Sequence, residues 1–207
     1  MMTASKEEGS APGLACSVRA EVPIPIKNGH VGTFMTFHGL ADEEEHVAIG
    51  LGPWRDRDRP IVRLHSECLT GDVFGSLRCD CGPQLDEAID RIAEEGGILI
   101  YLRQEGRGIG LYNKLDAYLH QIEGMDTYEA NQALGFGNDL RDYTAAGQIL
   151  ACLGIERIWL LSNNPQKADQ LEKWVDVERG ATLVHSNEFN KKYLVAKATV
   201  TEHDIEV

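Results

Sequence analysis

Nothing in the 207-residue sequence approaches the roughly 18 consecutive apolar residues that a membrane-spanning helix requires, so no transmembrane segment is expected. The first 20 residues, MMTASKEEGSAPGLACSVRA, also lack the apolar stretch of a secretory leader. Positive charge is scarce: 20 Lys and Arg stand against 33 Asp and Glu, a formal net charge of −13. A field of that sign repels phosphodiester backbones and anionic headgroups, which argues against nucleic acid and membranes as partners. The five cysteines are not an even set. Without a leader, a soluble, reducing, cytoplasmic setting is expected, where grouped thiols mean metal or catalysis rather than disulfides. Internal repeats and long linkers are also missing. With 43% hydrophobic residues the chain can bury one sizeable core, so one domain is expected over residues 21–207, behind a disordered tail over residues 1–20.

What is present is concentrated in a few short segments. The run RLHSECLTGDVFGSLRCDCG sets Cys68, Cys79 and Cys81 close together, with His65 as the nearby imidazole. A structural zinc site closes all four positions with Cys or His, whereas a catalytic site keeps one for water or substrate. Three thiolates without an obvious fourth ligand fit the open arrangement. A closed knot with His65 and a set of inert buried thiols are the alternatives. Cys16 falls in the expected tail, and Cys152 on an apolar helical face. Against the acidic background, Arg63, Arg78, Arg103, Arg107, Lys114, Arg141 and Lys167 gather around the same motifs, which points to a small anionic ligand in a pocket; for Lys114 a solvated surface charge is an equal alternative.

Strand-like runs occur at Val31–Phe37, His46–Leu51, Ile61–His65, Ile98–Arg103, Ile158–Ser162 and Thr182–Ser186. Leu85, Ala88, Ile89, Ile92 and Ala93 recur at helical spacing and mark one buried face, with a glycine stop at Gly96-Gly97. Further helices are expected at about Ile109–Ile122, Thr127–Leu134, Tyr143–Leu153 and Gln166–Trp174. The later strands alternate with helices and the early ones do not. The expected fold is therefore α/β, a mixed sheet with flanking helices and an N-terminal antiparallel β portion. After the strand ending at Arg103 comes QEGRGIG, a glycine-rich turn that opens a helix and can bring amides to a phosphate. Ser162-Asn163-Asn164-Pro165-Gln166-Lys167 also leads from a strand into a helix; Ser162 and Asn163 can cap it, and Lys167 can meet an anion. Asp142 reads as an N-cap, while Asp139 and Arg141 can project together into a cleft.

Taken together, HSECLTGD, SLRCDCG, RQEGRGIGL, DTYEAN, LGFGNDLRDY and LLSNNPQK resemble GTP cyclohydrolase II, densely from about Pro60 to Lys167 and more weakly toward both ends. The resemblance implies hydrolytic opening of the guanine imidazole ring of GTP, release of C8 as formate and of pyrophosphate, and a diaminopyrimidinone ribosylamino phosphate, the entry compound of riboflavin synthesis. It implies one Zn2+ per chain on Cys68, Cys79 and Cys81, and Mg2+ with the triphosphate. The GTP-binding positions it carries over are Arg63, Leu64, His65, Ser66, Glu67, Gln84, Glu105, Gly106, Arg107, Thr127, Ser162 and Lys167. Asp139 matches the proton acceptor. Arg141 matches a nucleophile toward the α-phosphorus; because a guanidinium stays protonated, a charge clamp is its rival role. The family is usually a homodimer.

Three thiolates leave a zinc complex formally anionic, so hydrogen bonds or cations at the sulfurs are expected to compensate, with Arg78 beside Cys79 as a candidate. Two positions depart from the family pattern. Ser162 replaces a usual Thr and keeps the hydroxyl. Met125 replaces a usual Tyr, and a thioether cannot donate a hydrogen bond. That makes Met125 a candidate product-determining residue, whose effect would be to stop the reaction at the formamidopyrimidine, unless Tyr112 or Tyr118 compensates. A catalytically silent GTP-binding zinc protein would have lost a thiol or Asp139, and all are present.

Overall fold

The computed structural model describes residues 16–137, 139–191, 194 and 195. Among these, seven strands form one sheet: β1 (Ser17–Pro25), β2 (Val31–His38), β3 (Val47–Leu51), β4 (Ile61–Ser66), β5 (Gly97–Leu102), β6 (Arg157–Leu161) and β7 (Asp176–Gly180). The helices are α1 (Leu69–Asp72), α2 (Cys81–Glu95), α3 (Leu111–Ile122), α4 (Thr127–Ala133), α5 (Thr144–Cys152) and α6 (Pro165–Leu171). The sheet order is β1-β2-β3-β5-β4-β6-β7. β1, β2, β3 and β5 pair antiparallel, and β5, β4, β6 and β7 run parallel. This is the mixed α/β sheet with an antiparallel N-terminal part that the sequence pattern indicates. No helix among the described residues is long and apolar enough to cross a membrane.

Over the central strands both sheet faces are covered, and strand alternation sorts the side chains between them. Ile98, Ile100 and Leu102 of β5 join Val62 and Leu64 of β4 in a core with Ala146, Ile149 and Leu150 of α5 and Leu171 of α6. Leu99 and Ile61 face the opposite way, onto Ala88, Ile89 and Ile92 of α2. Parity then puts Arg63 and His65 on the same face as Ile61, beneath α2, and both are buried. The apolar stripe of α2 was legible at its helical spacing, and Gly96 ends the helix at a φ of 86°.

Three differences from the sequence reading stand out. Residues 1–15 of the expected tail lie outside the described residues, but Ser17–Ala20 belong to β1. β1 runs on through Pro23 and Pro25, which an edge strand tolerates because one row of its amides has no partner to meet. The strand expected at Thr182–Ser186 is absent; the last strand among the described residues is Asp176–Gly180, paired residue by residue with Arg157–Leu161. Its charges suit an edge, and Arg59 bridges Asp176 and Glu178. The cap of α6 is Asn164, whose side chain accepts from the Gln166 amide at 3.0 Å, with Pro165 in the first turn. The cap position of α5 is Tyr143 rather than Asp142, whose carboxylate still accepts from the Thr144 amide at the start of that helix.

Candidate active site

In a parallel sheet flanked by helices, loops at the carboxyl ends of neighbouring strands share one edge. Here those loops follow β4, β5 and β6, which lie side by side. They are the Cys68 loop, the Gln104–Gly110 turn and the Ser162–Lys167 turn. A cavity of about 1230 Å³, counting its open mouth, lies among them. It is lined by Arg63, Leu64, His65, Ser66 and Glu67 from β4 and its end, and by Gln84 of α2. Glu105, Gly106 and Arg107 border it from the glycine-rich turn, Thr127 from α4, and Ser162 and Lys167 from the β6 turn. Cys68, Cys79, Cys81 and Arg141 complete this set. Residues more than a hundred positions apart thus meet in one space.

The Cys68, Cys79 and Cys81 sulfurs lie within 4.8 Å of one another, with Cys68 and Cys79 at 3.6 Å. Two thiolates on one tetrahedral zinc, at about 2.3 Å each, are about 3.8 Å apart, so this spacing fits the ion. A second feature supports the fit. A Cβ at Gly71 would stand 2.9 Å from the Cys79 sulfur and 3.1 Å from that of Cys68, so a glycine makes room for the cluster. Among the described residues no fourth His, Cys, Asp or Glu joins the group. His65 is committed elsewhere. Its Nε2 lies 3.1 Å from both Asp72 oxygens, and its ring stacks on Tyr101, whose hydroxyl donates to Asp72 at 2.8 Å. Burial pushes the His65 pKa down and leaves the ring neutral. The closed Cys3His knot is therefore not formed.

The sulfurs are not equivalent. Hydrogen bonding from Cys79 and Cys81, with Lys114 nearby, holds Cys68 well below the usual thiol range, while the same contacts push Cys79 and Cys81 up. Cys81 opens α2, whose amino end adds positive potential. The cation on the cluster is Lys114, not Arg78. Lys114 Nζ donates to Cys68 Sγ at 3.1 Å, Thr70 Oγ1 at 3.1 Å and Glu105 Oε1 at 2.8 Å. Lys114 is 9% exposed and is no solvated surface charge. Burial opposes its charge, but the Cys68 thiolate and Glu105 outweigh that and raise its pKa. Arg78 instead sits over the Tyr118 ring, 5.2 Å from its centre.

The anion-directed groups are also pre-set. Arg63 donates to Gln84 Oε1 at 2.7 Å and to the Leu161 carbonyl at 3.0 Å. Lys167 Nζ donates to the Leu64 carbonyl at 2.7 Å, and the Ser162 hydroxyl accepts from the Asn164 amide at 3.1 Å. In the glycine-rich turn the Gly106 amide is already given to Glu105 Oε1 at 2.9 Å. Less backbone is therefore free for a phosphate than the sequence suggests. Gly106 and Arg107 both adopt left-handed backbone, at φ of 63° and 62°. For Arg107 this costs about 1–3 kcal/mol, strain of the kind that collects at functional sites.

Arg141 donates to both carboxylate oxygens of Asp139, from Nε at 2.9 Å and Nη2 at 2.5 Å. Burial pushes the Asp139 carboxyl up, but Arg141 overrides it and holds the group below its ordinary value of 3.8. Arg141 borders the cavity; Asp139 is half-buried behind it and does not. Met125 is 39% exposed and also lies outside the lining. From the same part of the chain the aromatic that does line the cavity is Tyr118. Burial pushes its phenol up to about 12, so it stays a hydrogen-bond donor at neutral pH. The signal was available: Lys114, Ala117, Tyr118 and Gln121 fall at i, i+3, i+4 and i+7 on α3, and all four border the cavity.

Comparison with known proteins agrees with this geometry. A family model described as GTP cyclohydrolase II matches residues 17–178. The chain is 50% identical over 195 residues to GTP cyclohydrolase-2 of Vibrio cholerae, covering 92% of this chain and 98% of that protein. It is 56% identical over 193 residues to GTP cyclohydrolase-2 of Psychromonas ingrahamii, covering 91% and 96% respectively. The riboflavin biosynthesis protein RibBA of Bacillus cytotoxicus is 51% identical over 191 residues, which are 88% of this chain and 47% of that longer protein. With the thiol cluster and the three strand-end loops in one cavity, and a family match over most of its length, the chain is an enzyme of the GTP cyclohydrolase II family.

Proposed function

We propose that the enzyme hydrolyses GTP, opening the imidazole ring of guanine and releasing C8 as formate and the terminal phosphates as pyrophosphate, at the entry to riboflavin synthesis. The observation that carries this is the shared cavity, in which a thiol set spaced to hold a metal and a band of cations occupy one space. A nucleoside triphosphate needs both, one for the base and one for the phosphates.

In the base half, one water breaks C8–N9 and leaves a formamide on N7; a second breaks C8–N7 and releases formate. When bound by Cys68, Cys79 and Cys81, zinc supplies a Lewis acid that makes water nucleophilic near neutral pH. The chain's own groups do the rest. His65, held by Asp72, stays out of the thiol set, so Cys68, Cys79 and Cys81 alone would hold the metal. Tyr118 borders the cavity with its hydroxyl in hydrogen-bond contact with Thr70, and it is the phenol placed to serve the second water. We therefore assign the hydrogen bond for deformylation to Tyr118 rather than to position 125, because Tyr118 borders the cavity and Met125 does not. The product is the deformylated pyrimidine.

In the phosphate half, Arg107, Lys167 and Arg141 would meet the triphosphate, and Mg2+, when bound with it, would supply further positive charge. Asp139 holds Arg141 oriented through two parallel hydrogen bonds. A bidentate, fully protonated guanidinium suits a clamp on charge developing as pyrophosphate leaves, and we assign Arg141 that role rather than covalent attack.

Mass spectrometry of products from GTP tests the reading. The expected products are the diaminopyrimidinone phosphate, pyrophosphate and near-stoichiometric formate. Accumulation of the formamide would return the product decision to Met125, and unchanged GTP would overturn the assignment.

A further inference from the structure

We propose that Lys114 is the positioning residue that tunes the metal site, acting through the sulfur of Cys68. The proposal rests on the reading that the three thiols hold zinc. The ammonium has three hydrogens, and Cys68 Sγ, Thr70 Oγ1 and Glu105 Oε1 take one each at 3.1, 3.1 and 2.8 Å. With all three used and the side chain buried, Lys114 cannot reach a triphosphate without giving up every partner. It is set apart in this way from the cations that face the phosphates.

Charge explains why a lysine belongs there. Three thiolates around a divalent ion leave one negative charge in excess, and the ammonium offsets it. Glu105 does not simply cancel that gain, because its carboxylate is shared with the Leu69 amide at 2.7 Å and the Gly106 amide at 2.9 Å. The direction of the N–H matters more than the net sum. A donor aimed at Cys68 Sγ draws electron density from that sulfur and weakens its donation to the metal, leaving the metal more electrophilic. The site is then asymmetric, with Cys68 the weakest donor. Thr70 reinforces the arrangement, since its hydroxyl lies 3.7 Å from the same sulfur.

Cobalt(II) substitution separates this from a packing role. In Co2+-loaded protein the sulfur-to-cobalt charge-transfer band should move to longer wavelength in Lys114→Met, as Cys68 becomes the richer donor. Lys114→Gln keeps an N–H donor without the charge, and should show a smaller shift of the same sign; it also serves if the methionine variant does not fold. Charge-transfer bands equal to the parent's in both variants would overturn the proposal, even if turnover fell. A parent protein that binds neither Zn2+ nor Co2+ would instead overturn the metal reading beneath it.

Discussion

Replacing Gly71 by alanine sets helix propensity against metal geometry, and the structure states which wins. Gly71 lies within α1, at a backbone conformation open to any L-residue. By propensity alone, alanine in a helix is favoured over glycine by about 0.8–1 kcal/mol, so the metal-free variant should be at least as stable as the parent. The new methyl, however, would meet Cys79 Sγ at 2.9 Å, Cys68 Sγ at 3.1 Å and Cys81 Cβ at 3.1 Å. Comfortable separations are about 3.5–4.0 Å, so the sulfurs must recede by roughly half an ångström. Without metal the thiols can turn away. With metal they are pinned, because metal–ligand distances tolerate only about ±0.2 Å. Overpacking of this size costs about 1–3 kcal/mol, which is about 5- to 150-fold in zinc affinity. Chelator competition gives the affinity, and thermal unfolding of the metal-free protein gives the stability. Parental zinc affinity in Gly71→Ala would refute the idea that this glycine makes room for the metal cluster.

Three further outcomes follow from the site. Tyr118→Phe should still open the ring but release formate about 10²- to 10⁴-fold more slowly, with the formamide accumulating, whereas Met125→Tyr should leave formate release unchanged; formate quantification against GTP consumed reads both. Arg141→Ala should abolish pyrophosphate release while Cys79→Ser retains a slow rate of it, so equal release from Arg141→Ala and parent would remove Arg141 from the phosphate chemistry. The folded-state pKa of Asp139 lies below its ordinary value, so its contribution to stability is present above about pH 4 and disappears as acid protonates it. Asp139→Asn should therefore destabilise the protein at pH 7 and flatten the acid limb of its stability curve, measured by denaturant unfolding across pH.

Features written in local spacing were readable from the chain alone. The Cys-x-Cys pair and its distant partner Cys68, the α2 stripe ended by Gly96, and the glycine-rich turn after β5 each follow from a few adjacent residues. One local signal went unread: Asn28-Gly29, both at positive φ, turn β1 into β2, and that dipeptide marks a hairpin. Other features needed the tertiary fold. The segment Thr182–Ser186 carries a better strand pattern than Asp176–Gly180, yet pairing with β6 selected the latter. Sheet membership depends on a partner's register as well as on a segment's own composition. Spacing could place Lys114 and Tyr118 on one helix face, but not show that this face closes over a sulfur forty-six residues away. In the same way Met125 and Tyr118, seven residues apart, compete for one role on paper. The turn of α3 and the loop after it put only Tyr118 into the cavity. Sequence fixes which groups are available and the local geometry that carries them. Side-chain reach across the parallel strand ends decides which of them act together, because that contact is made by packing between elements and no short stretch of chain encodes it.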